Sequence, residues 1–175
     1  EGGLTEDLIE QRVRMTLAKG NARFARVLAS DLPAAKAAPL LQWASLIEQP
    51  SREIDALIAT PATGTAKAAL LAGWTRLDTV DTDHARARFA AFTPKRDLDR
   101  EAASPYALAL ALRLSWNRHP EALAYFARVR EADFDDVGRE WHVRAALWAG
   151  DWRAVKAVIA AMPPTLAQTP RWRYW

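Results

Sequence analysis

Apolar and polar residues alternate along short segments with the period of an amphipathic helix, and turn residues separate these segments. Glycine and asparagine or aspartate end one helix and cap the next, whereas proline favours a helix start. Two kinds of break alternate along the chain, so each pair of breaks predicts a helical hairpin. The first kind lies at Gly20-Asn21, Gln49-Pro50, 81–83, His119-Pro120 and Gly150-Asp151, and the second at Leu32-Pro33, Thr60-Pro61, Thr93-Pro94, 133–136 and 162–164.

The first kind of break recurs at intervals of 30, 33, 36 and 31 residues. This spacing is close to the ~34 residues of tetratricopeptide-type repeats. Residues 10–33 also match residues 140–163, with Leu17, Gly20 and Pro33 aligned to Leu147, Gly150 and Pro163. We predict an all-α solenoid or superhelix of ten to eleven helices in a single domain over 1–175. Its hairpins are expected at 4–33, 34–60, 62–93, 97–132 and 136–163, with another beginning at 165–175.

Composition supports this fold and excludes several functions. The chain has 37 alanines, which favour helices, and 8 tryptophans, which fill gaps between close helices. It has no cysteine, so disulfides and zinc-finger chemistry are excluded. A net charge of +3, with acids interleaved among the bases, does not favour nucleic acid as a partner. The longest apolar runs are seven residues, too short for a transmembrane segment.

Candidate chemistry is sparse. There is no glycine-rich phosphate loop, and His84, His119 and His142 fall in different hairpins without metal-ligand spacing. We expect turn or cap positions for the first two and a packing or surface position for the third. Carboxylates cluster at 81–83, 97–101 and 133–136, where paired acids could cleave glycosides or bind calcium. All three clusters lie at helix starts, so capping is the preferred interpretation. No catalytic, cofactor-binding or metal-binding residue, and no cofactor, is therefore predicted.

Tryptophans and arginines allow two interpretations each. Trp141, Trp148 and Trp152 recur at helical spacing, which favours a place in the core over a sugar-stacking surface. Arginines on the predicted helices favour a solvated face with ion pairs over a cationic stripe. These are the arginines at positions 12, 14, 23, 26, 139, 144 and 153.

Three segments together resemble one enzyme family. Residues 10–21 (EQRVRMTLAKGN), 146–152 (ALWAGDW) and 171–175 (RWRYW) are similar, in order and spacing, to the superhelical region of the soluble lytic murein transglycosylases. The resemblance covers the chain after Gly3. It implies a U-shaped α-superhelix that forms a ring with a linker domain and a lysozyme-like catalytic domain in a periplasmic enzyme. That enzyme cleaves the β-1,4 bond between N-acetylmuramic acid and N-acetylglucosamine, and forms a 1,6-anhydro product with one catalytic glutamate.

The chain departs from the family where catalysis is concerned. The family's catalytic glutamate precedes a serine, and this sequence has no Glu-Ser pair and no Gly-Leu-Met-Gln motif. The resemblance therefore implies the later part of the superhelical domain, inactive alone, which scaffolds or positions the glycan for the linker and catalytic domains of the same parent. The aromatic end and the absence of an initial Met or signal pattern lead us to expect a longer natural chain.

Other functions remain open at this point. A stand-alone tetratricopeptide-like module for protein–protein interaction would explain the repeats and the missing catalytic groups equally well. The surface could also dock other cell-wall proteins. A separate enzyme activity in this chain is the least favoured interpretation, since no constellation of residues supports it.

Overall fold

The structure, a computed structural model, describes residues 5–60 and 64–173. Within these residues the chain forms helices and no strand, which confirms the all-α prediction. The helices are α1 (Glu6–Ala18), α2 (Ala22–Ala29), α3 (Ala34–Glu48), α4 (Pro50–Ala59), α5 (Lys67–Val80), α6 (Thr82–Lys95), α7 (Arg100–Trp116), α8 (Ala122–Phe126), α9 (Asp136–Trp148), α10 (Trp152–Ala160), α11 (Pro164–Ala167) and α12 (Pro170–Arg173), with a 3-10 turn at Glu131–Asp133. The twelve α-helices of the described residues exceed the ten to eleven predicted, because two single-turn helices lie at the described C-terminal end.

Consecutive helices pack against each other as hairpins: α1 with α2, α3 with α4, α5 with α6, α7 with α8, and α9 with α10. The chain divides into two compact units, Glu1–Leu98 and Asp99–Trp175. In the first unit α3 also packs on α1 and α5, and in the second α7 packs on α9. Each unit therefore has its own layer of neighbouring helices.

The core of the first unit is built around one tryptophan. Trp74 on α5 is fully buried, and its ring lies 4.8 Å from that of Phe92 and 5.7 Å from that of Phe89, both on α6. On the other side of α5, a Cβ placed on Gly73 would lie 2.9 Å from the Cβ of Leu46. Glycine is therefore required here for α5 to approach α3 this closely.

The core of the second unit joins α9 and α10 to the short helices that follow. Val143 and Ala146 pack with Val155 and Met162, and Trp172 of α12 completes the cluster. Trp172 belongs to the aromatic segment 171–175 noted in the sequence. Its last two residues, Tyr174 and Trp175, lie outside the described residues.

One carboxylate of each predicted cluster caps a helix, as expected. The side chains of Asp81, Asp99 and Asp135 accept hydrogen bonds from the backbone N–H groups three residues later, at 3.0, 2.7 and 2.7 Å. Asn21 and Asp151 do the same at 3.1 and 2.9 Å. These bonds satisfy amides that a helix leaves free at its first turn.

One predicted break is displaced. Thr93-Pro94 was expected to separate two helices, but Pro94 lies within the last turn of α6, which ends at Lys95. The chain turns instead at Asp97, which has a φ of +52°, and the N–H of Leu98 donates to the carbonyl of Thr93 at 2.9 Å. Proline lacks an N–H, so near a helix end it removes one bond without breaking the helix.

Candidate ligand-binding surface

Three hairpins turn through the same backbone form. After α1, α7 and α9, the second residue beyond the helix has a positive φ: +77° at Gly20, +52° at Arg118 and +67° at Gly150. In each turn the N–H of that residue donates to a carbonyl three residues back, and the next N–H to one five residues back, at 2.8–3.1 Å. This is the Schellman motif, in which glycine is the usual left-handed residue. The turn after α6 has the same two hydrogen bonds, with Asp97 at the left-handed position. Arg118 is thus a strained residue where its counterparts are two glycines and an aspartate, which adopt this conformation more easily.

Aromatic side chains lie beside this turn in the second unit. Trp116 and Trp148 occupy equivalent positions, two residues before Arg118 and Gly150, on the neighbouring helices α7 and α9. The ring of Trp141 lies between them, 5.3 Å from that of Trp116 and 6.1 Å from that of Trp148. Trp116 is 66% exposed and Trp148 is 45% exposed. We call Trp116, Trp141, Trp148 and Arg118 the indole–arginine surface.

This exposure corrects the sequence-based interpretation of the tryptophans. Trp141, Trp148 and Trp152 were expected in the core, but Trp148 is exposed and Trp152 is 61% exposed, while Trp141 is partly buried. Trp141 and Trp148 share a face of α9 because they are seven residues apart.

Two guanidinium groups stack on these indoles, and they differ in whether a carboxylate pairs with them. The guanidinium of Arg118 lies 5.1 Å from the ring of Trp148, and that of Arg144 lies 4.9 Å from the ring of Trp141. Arg144 also pairs with Glu140 at 3.0 Å. Among the described carboxylates none pairs with Arg118. Arg118 therefore contributes an uncompensated positive charge to the indole–arginine surface.

Glu140 holds the start of α12 against α9. Its carboxylate accepts from Arg144 and from Arg171, both at 3.0 Å, and from the indole N–H of Trp172 at 3.2 Å. Arg144 lies 5.6 Å from the Trp172 ring on its other side. A single carboxylate thus anchors the buried tryptophan of α12 and pairs with one of the two stacked arginines, Arg144, as well as with Arg171.

His142 has the packing role that the sequence predicted. Its ring is stacked 4.5 Å from that of Phe126 and 5.6 Å from that of Phe134. Burial lowers the pKa of His142 from 6.5 to about 4, although the charge of Glu131 acts in the opposite direction. Glu131 and Arg139, which form an ion pair, line a cavity of about 180 Å³ beside the ring. The imidazole is therefore neutral near pH 7 and acts as a third aromatic ring.

The other predicted polar roles are also observed. His119 closes its turn by accepting, at Nδ1, the N–H of Glu121 at 3.2 Å. His84 lies at a helix start, where its N–H is capped, and its ring contacts Asp55 at 3.1 Å. Arginines pair along helices as expected, for example Arg14 with Glu10 at 2.7 Å. Within residues 5–60 and 64–173, no group of three or more metal-ligating side chains occurs.

The first unit carries a separate groove of about 530 Å³ between α1, α3 and α5. Its wall is mainly apolar, and Lys19 and Arg76 contribute positive charge. The buried Trp43 also lines it, and the indole N–H of Trp43 has no acceptor within the described residues.

Comparisons with known proteins gave matches among solved structures alone. No family model matches the chain, and no curated protein does. A structure of an inactive mutant of the lytic transglycosylase Slt from Pseudomonas aeruginosa matches with a TM-score of 0.80 and 23% identity. The 70-kDa soluble lytic transglycosylase SLT70 from Escherichia coli matches with a TM-score of 0.73 and 22% identity, as does a 70-kDa soluble lytic transglycosylase in complex with bulgecin A.

The chain has the fold of a lytic transglycosylase segment. Each match covers 98% of this chain and 28% of the neighbour, so the chain spans less than a third of the length of these enzymes. The structural neighbours are thus those that the sequence resemblance predicted. Along the described residues, no helix is both long enough and apolar enough to cross a membrane.

Sequence reasoning missed Arg118. The signal was available, since aligning 116–119 with 148–151 pairs Trp116 with Trp148 and sets Arg118 opposite Gly150. Without the backbone conformation, that arginine is indistinguishable from the many other surface arginines of the chain.

Proposed function

We propose that this chain is a non-catalytic helical segment of a lytic transglycosylase and that it positions the glycan strand of peptidoglycan for a catalytic domain elsewhere in the same protein. The observation that carries this proposal is the structural match over 98% of the chain. A match at 23% identity demonstrates the fold, and the sequence resemblance in three ordered segments supplies the link to the activity. The setting implied is the periplasm.

The chemistry assigned to the parent protein is cleavage of the glycosidic bond between N-acetylmuramic acid and N-acetylglucosamine, with closure of a 1,6-anhydro ring. In this proposal no residue of the present chain takes part in that step. The ionisable groups that the sequence singled out have structural partners instead: the aspartates at 81, 99, 135 and 151 cap helices, and His142 packs against two phenylalanine rings. The role left for the segment is to bind and orient the strand. A strand held in this way loses less entropy when its glycosidic bond enters the catalytic site.

Product analysis tests this proposal. The complete protein that contains this chain, and separately the 175-residue chain, would be incubated with purified peptidoglycan, and the released muropeptides identified by mass. We expect 1,6-anhydro muropeptides from the complete protein and none from the chain alone. Absence of anhydro products from both would refute the lytic transglycosylase assignment and leave an interaction module as the better description.

A second measurement tests the positioning role. The complete protein would be compared with a variant lacking residues 5–173, on long glycan strands and on a short disaccharide-peptide substrate. We expect the deletion to lower kcat/KM on the long strands more than on the short substrate. Equal effects on both substrates would show that the segment does not position the strand.

A further inference from the structure

We propose that the indole–arginine surface binds a carboxylate-bearing saccharide strand. Trp116 and Trp148 stack on sugar rings, and the guanidinium of Arg118 pairs with a carboxylate of the strand. The choice of a saccharide rests on the proposed function, whereas the surface itself is defined by the geometry of α7 and α9.

The first support for this site is the exposure of its indoles. Trp116 and Trp148 are 66% and 45% exposed on adjacent helices, with the ring of Trp141 bridging them. Large aromatic surfaces left in water at neighbouring positions are typical of interaction sites, because covering them is favourable. A flat, weakly polar ring face is suited to the C–H-rich face of a pyranose, and a row of such faces is suited to a strand.

The second support is the backbone strain at Arg118. The same turn carries glycine at 20 and 150, where the left-handed conformation is easily adopted, aspartate at 97, whose short polar side chain tolerates it, and arginine at 118, for which it is costly. Strained residues persist chiefly where their side chains have a function. At this position the side chain of Arg118 is directed onto the ring of Trp148, which holds its guanidinium at the edge of the surface.

The third support is the charge of Arg118. Arg144, the other stacked arginine, pairs with Glu140, a carboxylate that it shares with Arg171, whereas no described carboxylate pairs with Arg118. A guanidinium offers parallel N–H donors that match a carboxylate, and such charge-assisted bonds are stronger than neutral ones. The surface thus combines ring-stacking faces with one free site for an anion, which selects a carboxylated strand over a neutral one.

Binding of defined probes to the 175-residue chain tests the proposal. The probes are a peptide-free oligosaccharide of alternating N-acetylglucosamine and N-acetylmuramic acid, a neutral N-acetylglucosamine oligosaccharide of equal length, and the dipeptide Ala-Glu. Titration would be followed by calorimetry and tryptophan fluorescence. We expect the carboxylated oligosaccharide to bind more tightly than the neutral one, and the dipeptide to bind most weakly.

Three variants assign the contacts. Arg118→Gly is expected to lower the affinity for the carboxylated oligosaccharide about tenfold and to leave the affinity for the neutral one unchanged. Trp148→Ala is expected to lower the affinity for both oligosaccharides. Arg128→Gln is the matched control, because the Arg128 guanidinium also lies 5.1 Å from an aromatic ring, that of Tyr125, away from this surface; it is expected to change neither affinity.

Stability distinguishes a binding role of Arg118 from a structural one. Because Arg118→Gly relieves the left-handed strain, it is expected to raise Tm by about 2–4 °C while lowering affinity. A residue kept for its packing on Trp148 would instead lower Tm when replaced.

The proposal is overturned if the two oligosaccharides bind equally, if neither binds, or if Arg118→Gly lowers Tm without changing affinity. Binding of the dipeptide as tight as that of the carboxylated oligosaccharide would overturn the saccharide part. These outcomes are separable from the proposed function, because anhydro products report on the complete protein and titration reports on this surface.

Discussion

Replacing His142 by phenylalanine should remove a defined part of the acid sensitivity of this protein. The imidazole packs in a cluster with the rings of Phe126 and Phe134, and burial lowers its pKa to about 4. In the unfolded chain its pKa is near 6.5. Protonation therefore favours unfolding. The stabilising contribution is complete above pH 6.5 and is lost as the pH falls from 6.5 toward 4.

The size of this effect follows from the displacement of the pKa. At about 1.4 kcal/mol per pKa unit, a fall of the pKa from 6.5 to about 4 corresponds to at most about 3.5 kcal/mol. The ring is partly accessible to water, and the carboxylate of Glu131 favours the protonated form, so we expect about 2 kcal/mol of lost unfolding free energy between pH 7 and pH 4.5.

The assay is urea unfolding at pH 7 and pH 4.5, monitored by tryptophan fluorescence, for the wild type and for His142→Phe. The variant keeps a ring in the stack and removes the titrating group. Carboxylates elsewhere affect both proteins equally, so the difference between the two pH dependences isolates His142. We expect the wild type to lose about 2 kcal/mol more than the variant. Equal losses, or a His142 pKa of 6.5 or higher by NMR titration, would refute the argument.

Four further substitutions, at three positions, test the packing and the turns. Gly73→Ala should lower the free energy of unfolding by about 1–2 kcal/mol, because the new methyl group would meet Leu46 at 2.9 Å and this clash outweighs the gain in helix propensity; a stabilised variant in urea unfolding would contradict it. Gly150→Ala should lower the free energy of unfolding by about 1 kcal/mol. Backbone strain alone accounts for this loss, because nothing lies within 4 Å of the added methyl group. Gly150→Asn should lower the free energy of unfolding by less, because asparagine adopts the left-handed conformation more easily. Glu140→Gln should lose about 1–2 kcal/mol and shift the Trp172 indole N–H resonance in NMR spectra, because a neutral amide cannot pair with the two arginines; an unchanged resonance would show that Trp172 is held by packing alone.

Local signals made the helices and their ends predictable from the sequence. Asp81, Asp99 and Asp135 each precede a helix, and each forms the expected cap because an N-cap depends on residues only three positions apart. Gly20 and Gly150 mark their turns for the same reason, since the required positive φ is a property of a single residue.

The exposed surface was not predictable in the same way. The spacing of Trp141 and Trp148 shows that they share a face of α9, but not how far α7 extends along that face. The strain at Arg118 was hidden as well, because arginine has no left-handed preference of its own and only the alignment with Gly150 points to that conformation. The exposure of the tryptophans and the position of Arg118 beside Trp148 depend on which helix ends lie next to each other. Packing between hairpins decides this.

The shared turn has a consequence for how such a protein can acquire ligand contacts. Its hydrogen bonds join backbone atoms only, so the turn forms with glycine at 150 and with arginine at 118 alike. In the second unit, successive hairpins therefore offer one variable position each, while the helices behind it stay unchanged. A polymer that crosses several hairpins could gain one weak contact per turn, and contacts linked in this way multiply in their effect on affinity. Because the hairpins repeat, the affinity for a long strand can be changed by substituting one turn residue at a time.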